Sequence, residues 1–418
     1  MKQLRIYIEI NGVEHLVGTI TGENSENASF EYDREYVYDV GRAISISLPV
    51  QKESFTPKET KTFFDGLLPE GFSRRAVSSA MRVDDNDYMS ILSLLGNECL
   101  GAIRVVEEGA EVTEAAYVEL TQEEIKAIAS EGTSKSTELL IESHLSLAGA
   151  SGKVGLYYDS LKDKWYQPIG DAPSSHIVKQ SHVRFENLVV NEQLCLLTAR
   201  KLGISTPESF VINKGRNLEE DILFATKRYD RVQVSDRVVN GINVPKRFHQ
   251  EDFAQALGIP AAFKYEHAGD NYLQLMFECI QKNSANPIPD KLELWRRIVF
   301  NTLIGNTDAH IKNFSLLYDE ALKSIRLAPA YDIVSTRIYP SSKDLSFSIN
   351  GKYKISNLER SDFIEASHAA GIGTKPAMEI YDSMQESFDK ALGESCAELV
   401  KEGLAQAEEL RERILRSE

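Results

Sequence analysis

The sequence predicts an α+β protein, with strands crowded into its first half and helices filling the second. Two observations carry this. Up to about residue 230, short strand-like runs stand between turn signals, the opening ones alternating apolar and polar residues with the period of a half-buried strand. Beyond about residue 250, apolar residues recur every three or four positions, the period of one helix face. With 418 residues, 42% hydrophobic and 26% charged, the chain has the mix of a globular protein and room for two or three domains.

The opening runs "LRIYIEI" and "HLVGTITG" alternate around Asn11-Gly12, a hairpin signal. "FEYDREYV" and "AISISLPV" read as further strands, and "TKTFFDGLLPEGFSRRAVSSAM" as a helix. "CLGAIRVVEEGAEVTEAAYVEL" reads as a strand running into an acidic connector, which sets a boundary near residue 108. From about 140 to 230, "KVGLYYDS", "KWYQPIG", "SSHIVKQS", "SFVINK" and "DILFATKRYD" are strands. They surround one helix, "LVVNEQLCLLTARKLG", which ends on a glycine cap. Pro289-Asp290 opens the helix "KLELWRRIVFNTLIG", whose Leu292, Trp295, Val299 and Leu303 form one apolar stripe. Ile380, Met384, Phe388 and Leu392 recur every four residues near the end. The predicted units are therefore 1–108, β-rich; 109–230, α/β; and 231–418, all-helical.

Acidic side chains outnumber basic ones 63 to 47, a net charge of −16. Such a field opposes non-specific binding to nucleic acid or to an anionic membrane surface. Cys99, Cys195, Cys279 and Cys396 stand far apart with no C-x-x-C spacing. Buried thiols in a reducing compartment are expected, with neither zinc nor a disulfide framework. No window approaches the roughly eighteen apolar residues of a membrane span, and the first residues lack a signal peptide's apolar core. The expected location is the cytoplasm.

Chemistry concentrates in "FNTLIGNTDAHIKNFSLLYD", where Asp308, His310, Lys312 and Asn313 fall within six residues after an apolar run. Asp followed five residues later by Asn is the spacing of the protein-kinase catalytic loop. Phosphoryl transfer needs a carboxylate to take the hydroxyl proton, oxygen ligands for Mg²⁺ and cations near the phosphates. Lys312 supplies a charge beside the pair, and Asp332 in "LAPAYDIVST" supplies a second carboxylate. A helix cap at Asp308 and a turn at Asn313 would explain either residue alone. A transition-metal site from Asp308, His310 and Asp332 is the other reading, opposed by Lys312, which would repel the ion.

Upstream, "HIVKQ" puts Lys179 on a strand between apolar residues, like the lysine of V-A-I-K, and Glu192 follows thirteen residues on as a candidate ion-pair partner. "SLAGASGKVGLYY" is a loop of small residues whose amides can approach phosphates. It is not a Walker A loop, since Leu147 and Val154 stand where Gly and Ser/Thr are required. "LFATKRYDR" brings Lys227, Arg228 and Tyr229 to a strand end, either a hinge meeting adenine or an exposed edge.

With these pieces in order, the chain resembles the HipA family of bacterial toxin kinases. The shared text is "SLAGASGK", "HIVKQ", "NE", the R-Y-D-R run, "EDFAQALG", "KYE", "LIGNTDAHIKNFSLL" and "LAPAYDI". "SLPVQKE…FFDGLLPEG" and "GNECLGAIRV" match that family's first subdomain. The resemblance implies a two-lobed protein-kinase-like fold, related to the phosphoinositide-kinase group, with an all-α C-terminal lobe. It implies an ATP- and Mg²⁺-dependent Ser/Thr kinase with Asp308 as base and Asn313 and Asp332 as metal ligands. His310 and Lys312 would line the catalytic loop near the phosphates, and Lys179 would contact phosphate. Ala148, Gly149, Ala150, Ser151, Gly152 and Lys153 would form the nucleotide loop, and Lys227 and Tyr229 would flank adenine. Relatives often carry Gln and Glu where this chain has Ser151-Gly152. The family inactivates itself on a serine that is Ser146 here, with Ser143 and Ser151 as rivals. Its best-known members phosphorylate an aminoacyl-tRNA synthetase, notably the glutamyl enzyme. They pair with HipB, a helix-turn-helix antitoxin through which any DNA contact would run. A catalytically quiet co-repressor is the alternative function.

Overall fold

Asn11 and Gly12 both take left-handed φ, 50° and 77°. Their turn joins Lys2–Ile10 (β1) to Val13–Gly22 (β2) as the predicted hairpin. Ser29–Tyr32 (β3) and Ile103–Glu107 (β4) extend it to an antiparallel sheet in the order β3-β2-β1-β4. This computed structural model describes residues 2–110, 113–144, 146–147, 152–181, 185–340 and 342–416.

Three expectations in this region are corrected. In "FEYDREYV" the strand stops at Tyr32, because the Asp33 side chain accepts from the Glu35 and Tyr36 amides and starts the helix Arg34–Asp39. "AISISLPV" forms a tight bend with one bridge, Ser45 to Leu48. Its alternating serines bond Glu251 and the Gln255 carbonyl instead of facing a neighbouring strand. The helix expected at 60–81 is two helices, Pro57–Asp65 and Gly71–Met81, broken across "GLLPE". Pro69 lacks an amide hydrogen and disfavours helical geometry at Leu68.

The acidic connector holds a strand that the sequence reading omits, Ala116–Glu119 (β5), then helices Gln122–Glu131 and Thr133–Glu142. The next strands are Lys153–Asp159 (β6), Lys164–Ile169 (β7), His176–Gln180 (β8), Ser209–Asn213 (β9) and Ile222–Lys227 (β10). Together the six form an antiparallel sheet in the order β5-β7-β6-β8-β10-β9, and β6 to β10 coincide with predicted runs. Val154, Leu156, Val178 and Leu223 of this sheet share one core with Leu4, Ile6, Ile103 and Val105 of the first. The two N-terminal units are thus packed as one body.

In the C-terminal lobe, helices Pro287–Ile304 and Thr374–Lys401 pack through Trp295, Phe300, Phe388 and Leu392. Helix Leu188–Lys201 joins that core, with Val189 to Ala199 buried throughout. The lobe is helical in bulk, as predicted, but not all-helical. Gln250–Asp252, Ser315–Tyr318 and Ile325–Leu327 form one small sheet, and Asp344–Ile349 pairs with Lys352–Lys354. Strands of three or four residues span too few positions to display a period of two, whereas Asp344–Ile349 does alternate and the sequence reading omits it. Among the described residues, no helix is long and apolar enough to cross a membrane. All four cysteines are buried and unbridged.

Candidate active site

Helix Pro287–Ile304 stops where Gly305 turns left-handed, φ 74°, and the polar loop begins there. Ile304, Ile311 and Phe314 anchor the loop in the core on either side. The Asn306 side chain accepts from the Asp308 amide at 3.2 Å, and Asn313 Nδ2 donates to the Asp308 carbonyl at 3.0 Å. Asp308 and Asn313 are therefore the two ends of one closed turn. The Asp308 side chain opens into a cleft of about 1240 Å³, also lined by Lys179, Glu192, His310, Asn313 and Asp332. Behind it lies a narrower cavity of about 100 Å³, whose walls include Lys153, Leu196, Phe224, Lys227 and Tyr229.

Lys179 sits on an interior strand, with Lys153 of β6 opposite on one side and Phe224 of β10 on the other. Its Nζ lies 2.7 Å from Glu192 and 2.5 Å from Asp332, and 5.6 Å from the centre of the Phe224 ring. Burial opposes the charge on Lys179, but Asp332 and Glu192 outweigh it and raise its pKa. Burial likewise opposes the charge on Asp332, yet Lys179 and Lys153 hold that carboxyl well below the usual range. Glu192 goes the other way: burial raises it against the pull of Lys179. Burial lowers Lys153 to about 8 against Asp332, and Lys179 adds to the fall. Asp332 itself has φ 55°, a left-handed conformation that Asp and Asn tolerate better than most residues.

Asp308 is exposed to the cleft but enclosed on its other sides, and that enclosure raises its carboxyl, partly offset by the Tyr265 hydroxyl. Tyr265 donates to Asp308 Oδ1 at 2.7 Å. His310 is held neutral, its pKa lowered to about 3 by burial and by Lys264. Among the described residues, its buried Nδ1 has no hydrogen-bond partner.

These features fit a nucleotide triphosphate with Mg²⁺. Lys153 and Lys179 bring two cations to adjacent strands beside Asp332 and Glu192, and His310 Nδ1 is a buried polar atom with no hydrogen-bond partner among the described residues. Asp332 and Asn313 supply hard oxygen donors. Among the described residues, no three His, Cys, Asp or Glu side chains converge to hold a metal alone. Mg²⁺ is ordinarily bound by one or two carboxylates together with phosphates and water.

Comparison with known proteins bears on this arrangement. The HipA-like C-terminal domain matches residues 145–392, more than half of the chain. This chain belongs to the HipA family. The HipA N-terminal domain matches residues 8–106. Y4mE of Sinorhizobium fredii, which bears a kinase name, is 30% identical, over 86% of this chain and 84% of its own length. The serine/threonine-protein kinase toxin HipA of Shewanella oneidensis is 25% identical, over 81% and 78%. A chain from the Shewanella oneidensis complex of HipA, HipB and operator DNA has a TM-score of 0.79 at 20% identity, covering 99% of this chain and 96% of that one. The fold is therefore that of HipA, kinase-like with mixed helix and sheet.

Against the HipA-based expectations, Lys179, Glu192, Asp308, His310, Asn313 and Asp332 come together at one cleft. Two residues reach the rear cavity with their charge already engaged by the protein. Lys312 Nζ lies 2.5 Å from Asp252 and 3.2 Å from the Gly66 carbonyl, so its charge ties the loop to the N-terminal body rather than facing phosphates. The Arg228 guanidinium is enclosed, 2.9 Å from Glu98 and 2.7 Å from Asp230, which commits it to a buried ion network instead of a nucleotide. Lys227 pairs with Glu208 at 3.4 Å, and the Tyr229 ring stands 5.8 Å from that of Tyr331. Ser146 is fully buried and donates to the Leu67 carbonyl at 2.8 Å, and Ser143 donates to the Leu139 carbonyl. Ala148, Gly149, Ala150 and Ser151 lie outside the described residues; Gly152 and Lys153 lie within them.

Sequence reasoning missed Tyr265, Glu70 and Asp252 as parts of the site. "KYE" and "LLPEG" were signals only as text shared with the family, because no local spacing links them to Asp308.

Proposed function

We propose that this chain is an ATP- and Mg²⁺-dependent Ser/Thr protein kinase and the toxin of a pair with a HipB-like helix-turn-helix antitoxin. The observation that supports it is the convergence of Lys179, Glu192, Asp332 and the Asp308–Asn313 turn on one cleft. Glu192 fixes the Lys179 ammonium, which with Lys153 attracts the phosphates. A bound Mg²⁺ would be held by Asp332 and Asn313 and would neutralise charge on the phosphates. Asp308 orients the acceptor hydroxyl; its oxygen bonds the γ-phosphorus, its proton passes to the carboxylate, and ADP departs. A carboxyl raised above the ordinary range holds that proton more readily.

The substrate we favour is an aminoacyl-tRNA synthetase, the glutamyl enzyme first, with growth arrest as the consequence. Contact with DNA would run only through the antitoxin. Self-phosphorylation at Ser146 would act as an off-switch. A phosphoserine carries about two negative charges, which the enclosed position beside the Leu67 carbonyl cannot hold, so the segment would have to leave.

The test is incubation of purified protein with ATP-Mg²⁺ and cell extract, followed by phosphosite mapping. Transfer to a synthetase and to Ser146, absent with Asp308→Asn, is the expected result. Equal transfer by Asp308→Asn would remove Asp308 from its role, and no transfer by the parent would overturn the kinase reading.

A further inference from the structure

Lys264, Tyr265 and Glu266 form a strap beside the catalytic turn, and each residue is fixed to a different element. Lys264 Nζ lies 2.7 Å from Glu70 in the break between the two helices of the N-terminal body, and 5.4 Å from the centre of the Tyr265 ring. Glu266 accepts from the Tyr272 and Ser348 amides at 2.8 Å each, and its own amide donates to the Ser346 carbonyl at 2.8 Å. Both ends are thus held, one by the N-terminal body and one by the C-terminal lobe. Between them the Tyr265 ring meets His310 edge-on, with centroids 5.3 Å apart and planes at 84°. Its hydroxyl reaches Asp308 Oδ1 at 2.7 Å.

A carboxylate facing open solvent turns easily about its last bond, because that torsion has broad, roughly two-fold wells. Asp308 faces the cleft, so its backbone alone does not fix where its oxygens point. A donor held on a strap pinned at both ends does. We infer that Tyr265 is a positioning residue for Asp308, engaging one carboxylate oxygen so that the other is presented to the acceptor hydroxyl. Glu70 pairs with Lys264 of the strap at 2.7 Å and with Lys312 of the turn at 3.6 Å, and so helps set where Tyr265 stands relative to Asp308. The N-terminal body thereby takes part in the geometry of a turn more than two hundred residues further along the chain. This inference rests on the kinase reading of the same cleft.

Tyr265→Phe is the informative variant, since it keeps the ring against His310 and Lys264 and removes only the hydroxyl. Steady-state phosphate transfer is measured for the parent, Tyr265→Phe, Glu70→Gln and Asp308→Asn, with thermal midpoints alongside. Misplacing a reacting group costs roughly tenfold to a hundredfold in rate. Tyr265→Phe is therefore expected to lose about tenfold or more in kcat, with KM for ATP within about twofold of the parent. Its thermal midpoint should match the parent's. Glu70→Gln should lower kcat in the same sense with KM for ATP unchanged.

If the parent transfers phosphate and Tyr265→Phe matches it, the positioning role is wrong while the kinase reading stands. A faster Tyr265→Phe also overturns it, because Tyr265 would then be occupying the acceptor's place. If parent and Asp308→Asn are equally inactive, the kinase reading fails and takes this inference with it.

Discussion

Replacing Glu98 by glutamine should destabilise the protein by about 3 kcal/mol at neutral pH, a loss that two lines of reasoning reach separately. Glu98 Oε1 accepts from Arg228 Nη1 at 2.9 Å and Arg231 Nη2 at 2.8 Å, and Oε2 accepts from Arg247 Nε at 3.1 Å. Asp230 and Glu9 bring the remaining carboxylates, so three arginines meet three acids in the interior. Burial alone would raise Glu98, but Arg231, Arg247 and Arg228 outweigh it and hold it at about 2, against an ordinary 4.5. That gap corresponds to roughly 3 kcal/mol. Because the folded pKa is depressed, the stabilisation is present above pH 4.5 and is lost as pH falls through 2. Independently, removing one member of a buried ion pair costs about 3–5 kcal/mol, since the other charges stay buried and uncompensated. Urea unfolding followed by Trp165 and Trp295 fluorescence reads the sheet of β5 to β10 and the C-terminal lobe. The Glu98→Gln deficit should be near its full size at pH 7 and shrink as the pH approaches 2. A deficit below about 1 kcal/mol at pH 7 would refute the reasoning, because a pair open to water is worth no more than that.

Three further outcomes follow from the same charges. Lys153, lowered to about 8, carries its charge below that pH and loses it above; kcat/KM for ATP should fall as pH rises through about 8, and Lys153→Arg should flatten the fall. Glu251, raised to about 7 by burial against its bonds to Ser45 and Tyr318, is stabilising as the neutral acid. That contribution is present below pH 4.5 and is lost as pH rises through 7, so the parent's thermal midpoint should drop between pH 5 and 8 and that of Glu251→Gln should not. Lys179→Met strands Asp332 and Glu192, costing roughly 3 kcal/mol or more and abolishing transfer. Adding Glu192→Gln should recover part of the thermal stability without restoring transfer, since Asp332 has lost Lys179 and keeps Lys153 as a nearby cation. A double variant as unstable as the single one would contradict the pairing.

The sheet of β6 to β10 was legible because five short runs rich in apolar and aromatic residues stand between turn signals, and the helix Leu188–Lys201 because its apolar residues recur with glycine just beyond. The turn from Asp308 to Asn313 was legible for a different reason: all its chemistry lies in one short stretch. What the sequence hid are contacts between distant positions. Lys312 reads as a charge beside a catalytic pair, yet its partner carbonyl at Gly66 is 246 residues away. Arg228 reads as a strand-end cation, yet Glu98, 130 residues upstream, encloses it. Helix breaks and strand ends were set in the same way by side chains, as when Asp33 turned a predicted strand into a helix. Periodicity reports which face of an element is buried, and it carries no information about which polar group will meet which.

The left-handed backbone of Asp332 decides how this site should be dissected. An alanine there would give up the carboxylate and also force a Cβ-bearing residue without a helpful side chain into a conformation that costs it roughly 1–2 kcal/mol. The two losses would be read together as one. Asparagine keeps the shape and the tolerance for that backbone while discarding only the charge. Asp332→Asn is thus the substitution whose result can be interpreted, whereas a routine alanine scan would overstate the contribution of this carboxylate.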